Sequence, residues 1–158
     1  MRYFIFFGYD GTNYHGWQIQ PNANSVQQEL QRALSILLRK EIELVKDVNK
    51  GRVKILKYCG GNNTAAVVDE IKNTDWSGID GILSICPYYN KPSQEGLYQH
   101  FKAIAQVSPL PIVLYNVPGR TGINMKPETT CRIARDFPNV VAVKEASGSL
   151  EQVDEIIK

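Results

Sequence analysis

The sequence contains few of the residues that build metal or disulfide sites. Its 158 residues include 3 Cys and 2 His. Cys59, Cys86 and Cys131 lie far apart without a Cys-x-x-Cys pair, which disfavours both a disulfide framework and a zinc site. With only His15 and His100 as imidazoles, neither a His-rich metal site nor a Ser-His-Asp arrangement is favoured. We therefore expect reduced thiols and no bound metal.

The sequence also lacks a strong charge of one sign and a long apolar run. Its 18 Lys and Arg against 16 Asp and Glu give a net charge of +2, a weak field for holding nucleic acid or an anionic membrane. No apolar run approaches the roughly 18 residues that cross a bilayer. The apolar residues 1–7 are too few, before Gly8 and Asp10, for a signal peptide. We expect a cytoplasmic protein with no membrane partner.

The first 45 residues predict a strand, a loop and a helix. Residues 2–9 are apolar and aromatic, as in a buried strand, and residues 10–13 are typical of a turn. Over residues 25–40 the apolar side chains recur at helical spacing, which predicts an amphipathic helix. Ser25 and Gln28 have the form of a capping box at its start.

From about residue 46 the pattern changes to alternating strands and helices. Short apolar runs predict strands at 53–56, 81–86, 111–115 and 140–143, and helical spacing predicts helices at 63–74, 94–106, 127–136 and 149–157. Four strand-helix units indicate an α/β fold with a parallel sheet. The period alone leaves two architectures open, a doubly wound sheet and an arc of a barrel.

Three motifs near the N-terminus belong together. They are Tyr9-Asp10-Gly11-Thr12, Tyr14-His15-Gly16-Trp17-Gln18 and Ser25-Val26-Gln27. Through them residues 1–45 resemble the N-terminus of the TruA-type tRNA pseudouridine synthases. That family's catalytic aspartate motif should follow Val45, where the chain instead has Lys46-Asp47-Val48-Asn49-Lys50. A pseudouridine synthase fragment that lacks its catalytic aspartate, with tRNA as its partner, is therefore one alternative for the function.

A second set of motifs follows in residues 46–158. They are Gly61-Asn62-Asn63-Thr64, Pro87-Tyr88-Tyr89-Asn90-Lys91-Pro92, Gln94-Glu95-Gly96, Tyr98-Gln99-His100-Phe101, Tyr115-Asn116-Val117-Pro118-Gly119-Arg120-Thr121-Gly122 and Val143-Lys144-Glu145-Ala146-Ser147-Gly148. With these motifs the segment is similar to dihydrodipicolinate synthase, a class I aldolase-type lyase on a TIM barrel. Two domains are thus expected, 1–45 and 46–158, the second a partial barrel of about four strand-helix units.

The second resemblance implies a role for each of four residues. Lys144 matches the lysine that forms a Schiff base with pyruvate, and Tyr115 matches the proton-relaying tyrosine. Tyr89 matches the tyrosine that reaches into the neighbouring site of a dimer, and Arg120 matches the arginine that receives the carboxylate of the aldehyde substrate. The resemblance further implies a homo-oligomer that acts on pyruvate and aspartate semialdehyde without a cofactor.

The residues themselves allow both these roles and ordinary ones. Lys144 would emerge from the end of a buried strand, although most lysines lie at the surface. Tyr115 can relay protons or be a core aromatic with a hydrogen-bond partner. Arg120 presents a planar fork suited to a carboxylate, and Gly119 and Gly122 permit a tight turn around it, but an arginine in a Gly-rich turn is usually solvated.

A complete (β/α)8 barrel needs about 250 residues, and four units supply half of one. The family's Gly-Thr-Thr-Gly-Glu loop, which carries the relay threonine, does not occur in the sequence. The second resemblance implies a pyruvate-dependent Schiff-base lyase of lysine (diaminopimelate) biosynthesis, and the missing parts predict that it is impaired or inactive in this truncated fusion. A non-catalytic chimeric protein is the remaining alternative.

Overall fold

The computed structural model describes residues 11–15, 19, 23–38 and 53–158. The chain divides into two units, Met1–Val53 and Lys54–Lys158. The predicted strand over residues 2–9 and the predicted boundary after residue 45 lie outside the described residues.

The first unit contains one turn of 3-10 helix, Gly11–Asn13, and the helix α1, Val26–Leu38. The Gln28 backbone N–H donates to Ser25 Oγ over 3.2 Å, which confirms the predicted N-terminal cap. One turn further along, Glu29 and Arg32 form an exposed ion pair of 3.0 Å.

The second unit alternates strands and helices. Its strands are β1 (Leu56–Tyr58), β2 (Gly81–Ile85), β3 (Ile112–Asn116) and β4 (Val140–Glu145). Its helices are α2 (Thr64–Asn73), α3 (Gln94–Val107), α4 (Pro118–Thr121), α5 (Pro127–Asp136) and α6 (Leu150–Ile157). The four predicted helices are confirmed to within one residue, and the three strands after the first to within two.

All strand pairs are parallel, and the strands lie in the order β1-β2-β3-β4. Successive long helices contact one another, α2 with α3, α3 with α5, and α5 with α6. A doubly wound sheet would reverse its strand order and place helices on both faces. The observed order therefore decides between the two open architectures, and the second unit is an arc of a barrel with four strand-helix units.

The strands divide their side chains between two faces of the sheet, as the two-residue period of a strand requires. Ile112, Leu114 and Asn116 of β3 are buried toward the helices, whereas Val113 and Tyr115 are half-buried on the other side, here called the open face. By register, Leu56, Tyr58, Leu83, Ile85, Ala142 and Lys144 also belong to the open face. This face corresponds to the interior of a closed barrel.

The pairing of β3 with β4 contains one register shift. Ile112 pairs with Val140, but Val113 pairs with Ala142, so Val141 is an extra residue that is 60% exposed. After the shift the pairing is regular, and Lys144 lies beside Tyr115.

One expectation about the elements was wrong, and one element was missed. The first strand was expected at 53–56 but spans Leu56–Tyr58. One reason is that the Ile55 N–H donates to the Asp80 carboxylate over 2.9 Å rather than to a neighbouring strand. Lys57 fits in the strand because its ammonium lies 3.3 Å from the Thr74 hydroxyl and 5.3 Å from the centre of the Trp76 ring. The short helix α4 was not predicted.

The core lies between the sheet and the helices. Phe101, Leu97 and Ile104 of α3 are at most 1% exposed. His100, also on α3, is 3% exposed, and its Nδ1 lies 2.8 Å from the Thr64 hydroxyl at the start of α2. Its Nε2 is buried without a hydrogen-bond partner among the described residues. This imidazole is therefore held in an apolar layer.

Candidate functional site

Lys144 and Tyr115 meet at the carboxyl ends of β4 and β3. They are register partners on the open face, and the Lys144 Nζ lies 4.2 Å from the centre of the Tyr115 ring. Lys144 is exposed and Tyr115 is half-buried. The structure thus brings the two predicted groups together, an amine and a phenol, at the strand ends where parallel β/α folds place their active sites.

Arg120 and Tyr89 lie on two neighbouring loop segments. Arg120 is exposed on α4, directly after β3. The helix ends at Gly122, which has a φ of 74° and whose N–H donates to the Pro118 carbonyl over 2.9 Å. A left-handed residue of this kind favours glycine, which confirms the tight turn expected there.

Tyr89 lies in the loop after β2 and is 87% exposed. Its φ is 72°, an uncommon value for a residue with a side chain. Its N–H donates to the Thr121 carbonyl over 3.2 Å, which ties this loop to α4. Tyr89 and Arg120 therefore lie on linked segments, and both side chains extend toward solvent.

A network of polar side chains lies directly behind Lys144 and Tyr115. It comprises Asn116, Asn124, Glu145 and Gln152, and is called here the Glu145 network. The Asn116 Nδ2 donates to both Glu145 carboxylate oxygens over 3.0 and 3.1 Å, and the Gln152 Nε2 donates to one over 2.9 Å. The Ser147 N–H adds a bond of 2.8 Å. Because buried polar groups are costly unless they are paired, these bonds stabilise the network as a unit.

The protonation of Glu145 follows from these bonds. Burial by itself would raise the pKa of the carboxyl, but hydrogen bonds from Asn116, Gln152 and Ser147 together outweigh burial and lower the pKa. Donors that converge on a carboxylate favour its charged form. Glu145 is therefore a carboxylate at neutral pH.

Neither a metal cluster nor a membrane span occurs in the part of the chain that the structure describes. No group of three or more His, Cys, Asp and Glu side chains is arranged to hold a metal ion there. Within the same residues, no helix is both long and apolar enough to cross a membrane.

The sequence matches the dihydrodipicolinate synthetase family over residues 32–158. The chain belongs to this family. Over 117 residues it is 62% identical to a 4-hydroxy-tetrahydrodipicolinate synthase of Parabacteroides distasonis. The aligned part is 74% of this chain and 39% of that relative. The chain thus spans about two fifths of the length of that curated relative.

Solved structures show the same relationship. Dihydrodipicolinate synthase from Cyanidioschyzon merolae, with lysine bound, is 47% identical with a TM-score of 0.67, over 72% of this chain and 39% of the other. The chloride-inhibited dihydrodipicolinate synthase from Acinetobacter baumannii, complexed with pyruvate, is 38% identical with a TM-score of 0.65, over 82% of this chain and 42% of the other. The partial barrel is therefore a part of the dihydrodipicolinate synthase fold.

The family match begins inside the segment predicted to come from another family. Neither the family match nor the matched relatives support the resemblance of residues 1–45 to pseudouridine synthases. That resemblance stays a prediction. Residues 1–10, 16–18, 20–22 and 39–45 of that segment lie outside the described residues.

Sequence reasoning missed two members of the Glu145 network, Asn124 and Gln152. Asn116 and Glu145 stood only within motifs, without a role of their own. Gln152 looks like a solvated position on an amphipathic helix, yet it is only 8% exposed. The signal that could have found it is a polar residue on the apolar face of α6, three residues after the Ser149 cap.

The thiols give a first test of the packing. Burial, with the nearby Glu70 adding to it, raises the pKa of the Cys59 thiol to about 12. Burial and the charge of Glu145 raise the pKa of the Cys86 thiol to about 12 as well. Cys131 is only half-buried. Since the thiolate is the reactive form, we expect iodoacetamide to label Cys131 in the native protein, and Cys59 and Cys86 roughly a thousandfold more slowly.

Peptide mapping after a labelling time course measures the three rates separately. Cys131→Ala is the control, because this variant should take up almost no label until urea is added. Rapid native labelling of Cys86 would show that the ends of β2 and β3 open to solvent.

Proposed function

We propose that residues 54–158 carry part of the active site of a pyruvate-dependent Schiff-base lyase that condenses pyruvate with aspartate semialdehyde in lysine (diaminopimelate) biosynthesis. The single observation that carries the proposal is the Lys144–Tyr115 pair, with Nζ 4.2 Å from the ring centre on the open face. An amine and a phenol side by side are the two groups that imine chemistry requires from the protein.

In the proposed reaction Lys144 attacks the ketone carbon of pyruvate as a free amine. The carbinolamine loses water to give the iminium, and loss of a methyl proton gives the enamine that attacks the aldehyde. Tyr115 is proposed to move protons to and from the carbinolamine, because its hydroxyl lies on the same face of the sheet. Lysine is itself the electron sink in this chemistry, so no cofactor is required.

Arg120 is proposed to receive the carboxylate of aspartate semialdehyde through its planar guanidinium. Its exposure on α4, directly after β3, leaves the fork free to meet a substrate at the strand ends. Tyr89 is proposed to reach into the site of a second subunit, which its 87% exposure permits. We also propose that the protein is a homo-oligomer in the cytoplasm, as the sequence predicts.

The family membership of the chain and the identity of its relatives support the proposal. The Parabacteroides relative is a 4-hydroxy-tetrahydrodipicolinate synthase, and the Acinetobacter structure holds pyruvate. Because the matched part is 39% of the Parabacteroides enzyme, the rest of a barrel would supply further walls of the site.

Borohydride trapping with pyruvate tests the proposal. Reduction of the imine leaves a stable adduct, which peptide mapping by mass spectrometry should locate on Lys144 alone. We expect no adduct in Lys144→Ala, an unchanged amount in Lys126→Ala, and roughly hundredfold slower trapping in Tyr115→Phe. Lys126 is the matched control because it is also exposed and lies in the same unit.

Circular dichroism of the same samples establishes that each variant is folded. A folded wild-type chain that forms no adduct, or an adduct spread evenly over the exposed lysines, would contradict the proposed function.

A further inference from the structure

We infer that Glu145 is a positioning residue for this site, acting through the two strand ends and the loop after α4. The inference rests on the proposed function, since it concerns the groups assigned there. The Glu145 carboxylate accepts hydrogen bonds from Asn116, the residue after Tyr115, and from the backbone N–H of Ser147, three residues after Lys144. It also accepts from Gln152, which in turn bonds Asn124 in the segment after Arg120.

The strand period explains why one carboxylate can align both reactive groups. Tyr115 and Lys144 are register partners on the open face, and Asn116 and Glu145 are the next register pair, directed toward the helices. The bonds from Asn116 to Glu145, 3.0 and 3.1 Å, therefore join β3 and β4 one residue beyond the reactive pair. Any slip of β4 along β3 would break them.

Gln152 extends the same contact to the loop after α4. Its Nε2 donates to Glu145 over 2.9 Å and to Asn124 over 3.1 Å, while the Asn124 Nδ2 donates back to its Oε1 over 2.8 Å. Asn116 accepts from the Met125 N–H over 3.0 Å. The loop that begins at Gly122 is thereby fixed to both strand ends, and with it the helix that carries Arg120.

A carboxylate is required at this position because every group that approaches it is a donor. Asn116, Gln152 and the Ser147 N–H all donate to Glu145. A carboxylate accepts on both oxygens, whereas a glutamine would present its own N–H2 to one of these donors. A buried donor that meets another donor loses its bond and destabilises the arrangement.

Glu145→Gln is the test, because it keeps the size of the side chain and removes one acceptor. Pyruvate trapping at Lys144 should slow roughly tenfold, since small misplacements of reacting groups have effects of this order. Val140→Ala, at the other end of β4, is the matched control for lost stability and should trap within about twofold of wild type.

A second readout does not depend on pyruvate. Reductive methylation with 13C-formaldehyde gives each lysine an NMR signal, and the ring of Tyr115 should shift that of Lys144 upfield. Tyr115→Leu assigns this shift by removing it. Glu145→Gln should remove most of the shift, and Val140→Ala should keep it.

The two readouts separate the inference from the proposed function. If wild type traps no pyruvate, the proposed function fails, and the NMR shift still decides whether Glu145 holds Lys144 beside Tyr115. If Glu145→Gln keeps both the shift and the trapping rate, the inference is overturned. If Val140→Ala lowers the rate as much as Glu145→Gln does, Glu145 is merely structural and the inference also fails.

Discussion

Asn116→Asp should destabilise the protein by about 4 kcal/mol at neutral pH, although it changes one buried amide into a carboxylate of the same shape. Asn116 is fully buried, and its Nδ2 lies 3.0 and 3.1 Å from the two oxygens of Glu145. Two carboxylates at this distance cannot both stay ionised. The substitution also leaves the Asn124 Oδ1, 2.7 Å away, facing another acceptor.

The pH dependence of this loss has a definite sign. One of the two carboxyls must have a raised pKa in the folded variant, so the folded state binds more protons than the unfolded state above about pH 4. The destabilisation relative to wild type should therefore shrink as the pH falls toward 5. Urea titrations of both proteins at each pH measure the difference in the free energy of unfolding.

Asn73→Asp is the matched control for this experiment. The Asn73 Nδ2 also donates to a carboxylate, that of Asp69 over 3.0 Å, but both side chains are exposed. Water screens the new pair, so the expected loss is below about 1 kcal/mol. An equal effect of the two substitutions would show that Glu145 is solvated or already protonated.

The second large effect is a loss of stability in acid caused by His100. Burial lowers the pKa of this imidazole from 6.5 to about 4. The unfolded chain then binds a proton that the folded chain does not, so stability falls as the pH drops from about 6.5 to about 4. A shift of this size corresponds to about 3 kcal/mol over that window.

His15→Gln and His100→Gln make a matched pair, because they alter the two histidines of the chain. Urea titrations at several pH values should show the steep acid dependence in wild type and in His15→Gln, and a much flatter curve in His100→Gln. The slope is the readout, so a loss of stability in the variant does not obscure the result. A curve for His100→Gln as steep as that of wild type would place the acid sensitivity elsewhere.

Helices and strands could be predicted where apolar residues recur at a regular spacing along the segment. The four long helices after residue 62 have apolar residues at helical spacing, and their bounds were predicted to within one residue. The first strand was not, because the Asp80 side chain takes the N–H of Ile55 and because Lys57 places its ammonium beside Trp76. Contacts between residues far apart in the sequence decide such positions.

The site was predictable only in part, for a similar reason. The motifs around Tyr115 and Lys144 indicated the reactive groups through resemblance, and the structure places them side by side. The sequence did not indicate that the Glu145 carboxylate behind them is the centre of a hydrogen-bond network. Its partners Asn116 and Gln152 are 29 and 7 residues away, and both are residue types that are common in solvated loops and helix surfaces.

The extra residue in β4 has a consequence for how chain length can vary near the site. Side chains along a strand alternate between its two faces. One residue inserted into β4 before Lys144 would therefore normally turn Lys144 toward the helices and Glu145 toward the open face. Val141 avoids this exchange because the register shift leaves it outside the pairing. It is therefore the point in β4 where one residue can be gained or lost while the amine still faces Tyr115 and the carboxylate still faces the helices.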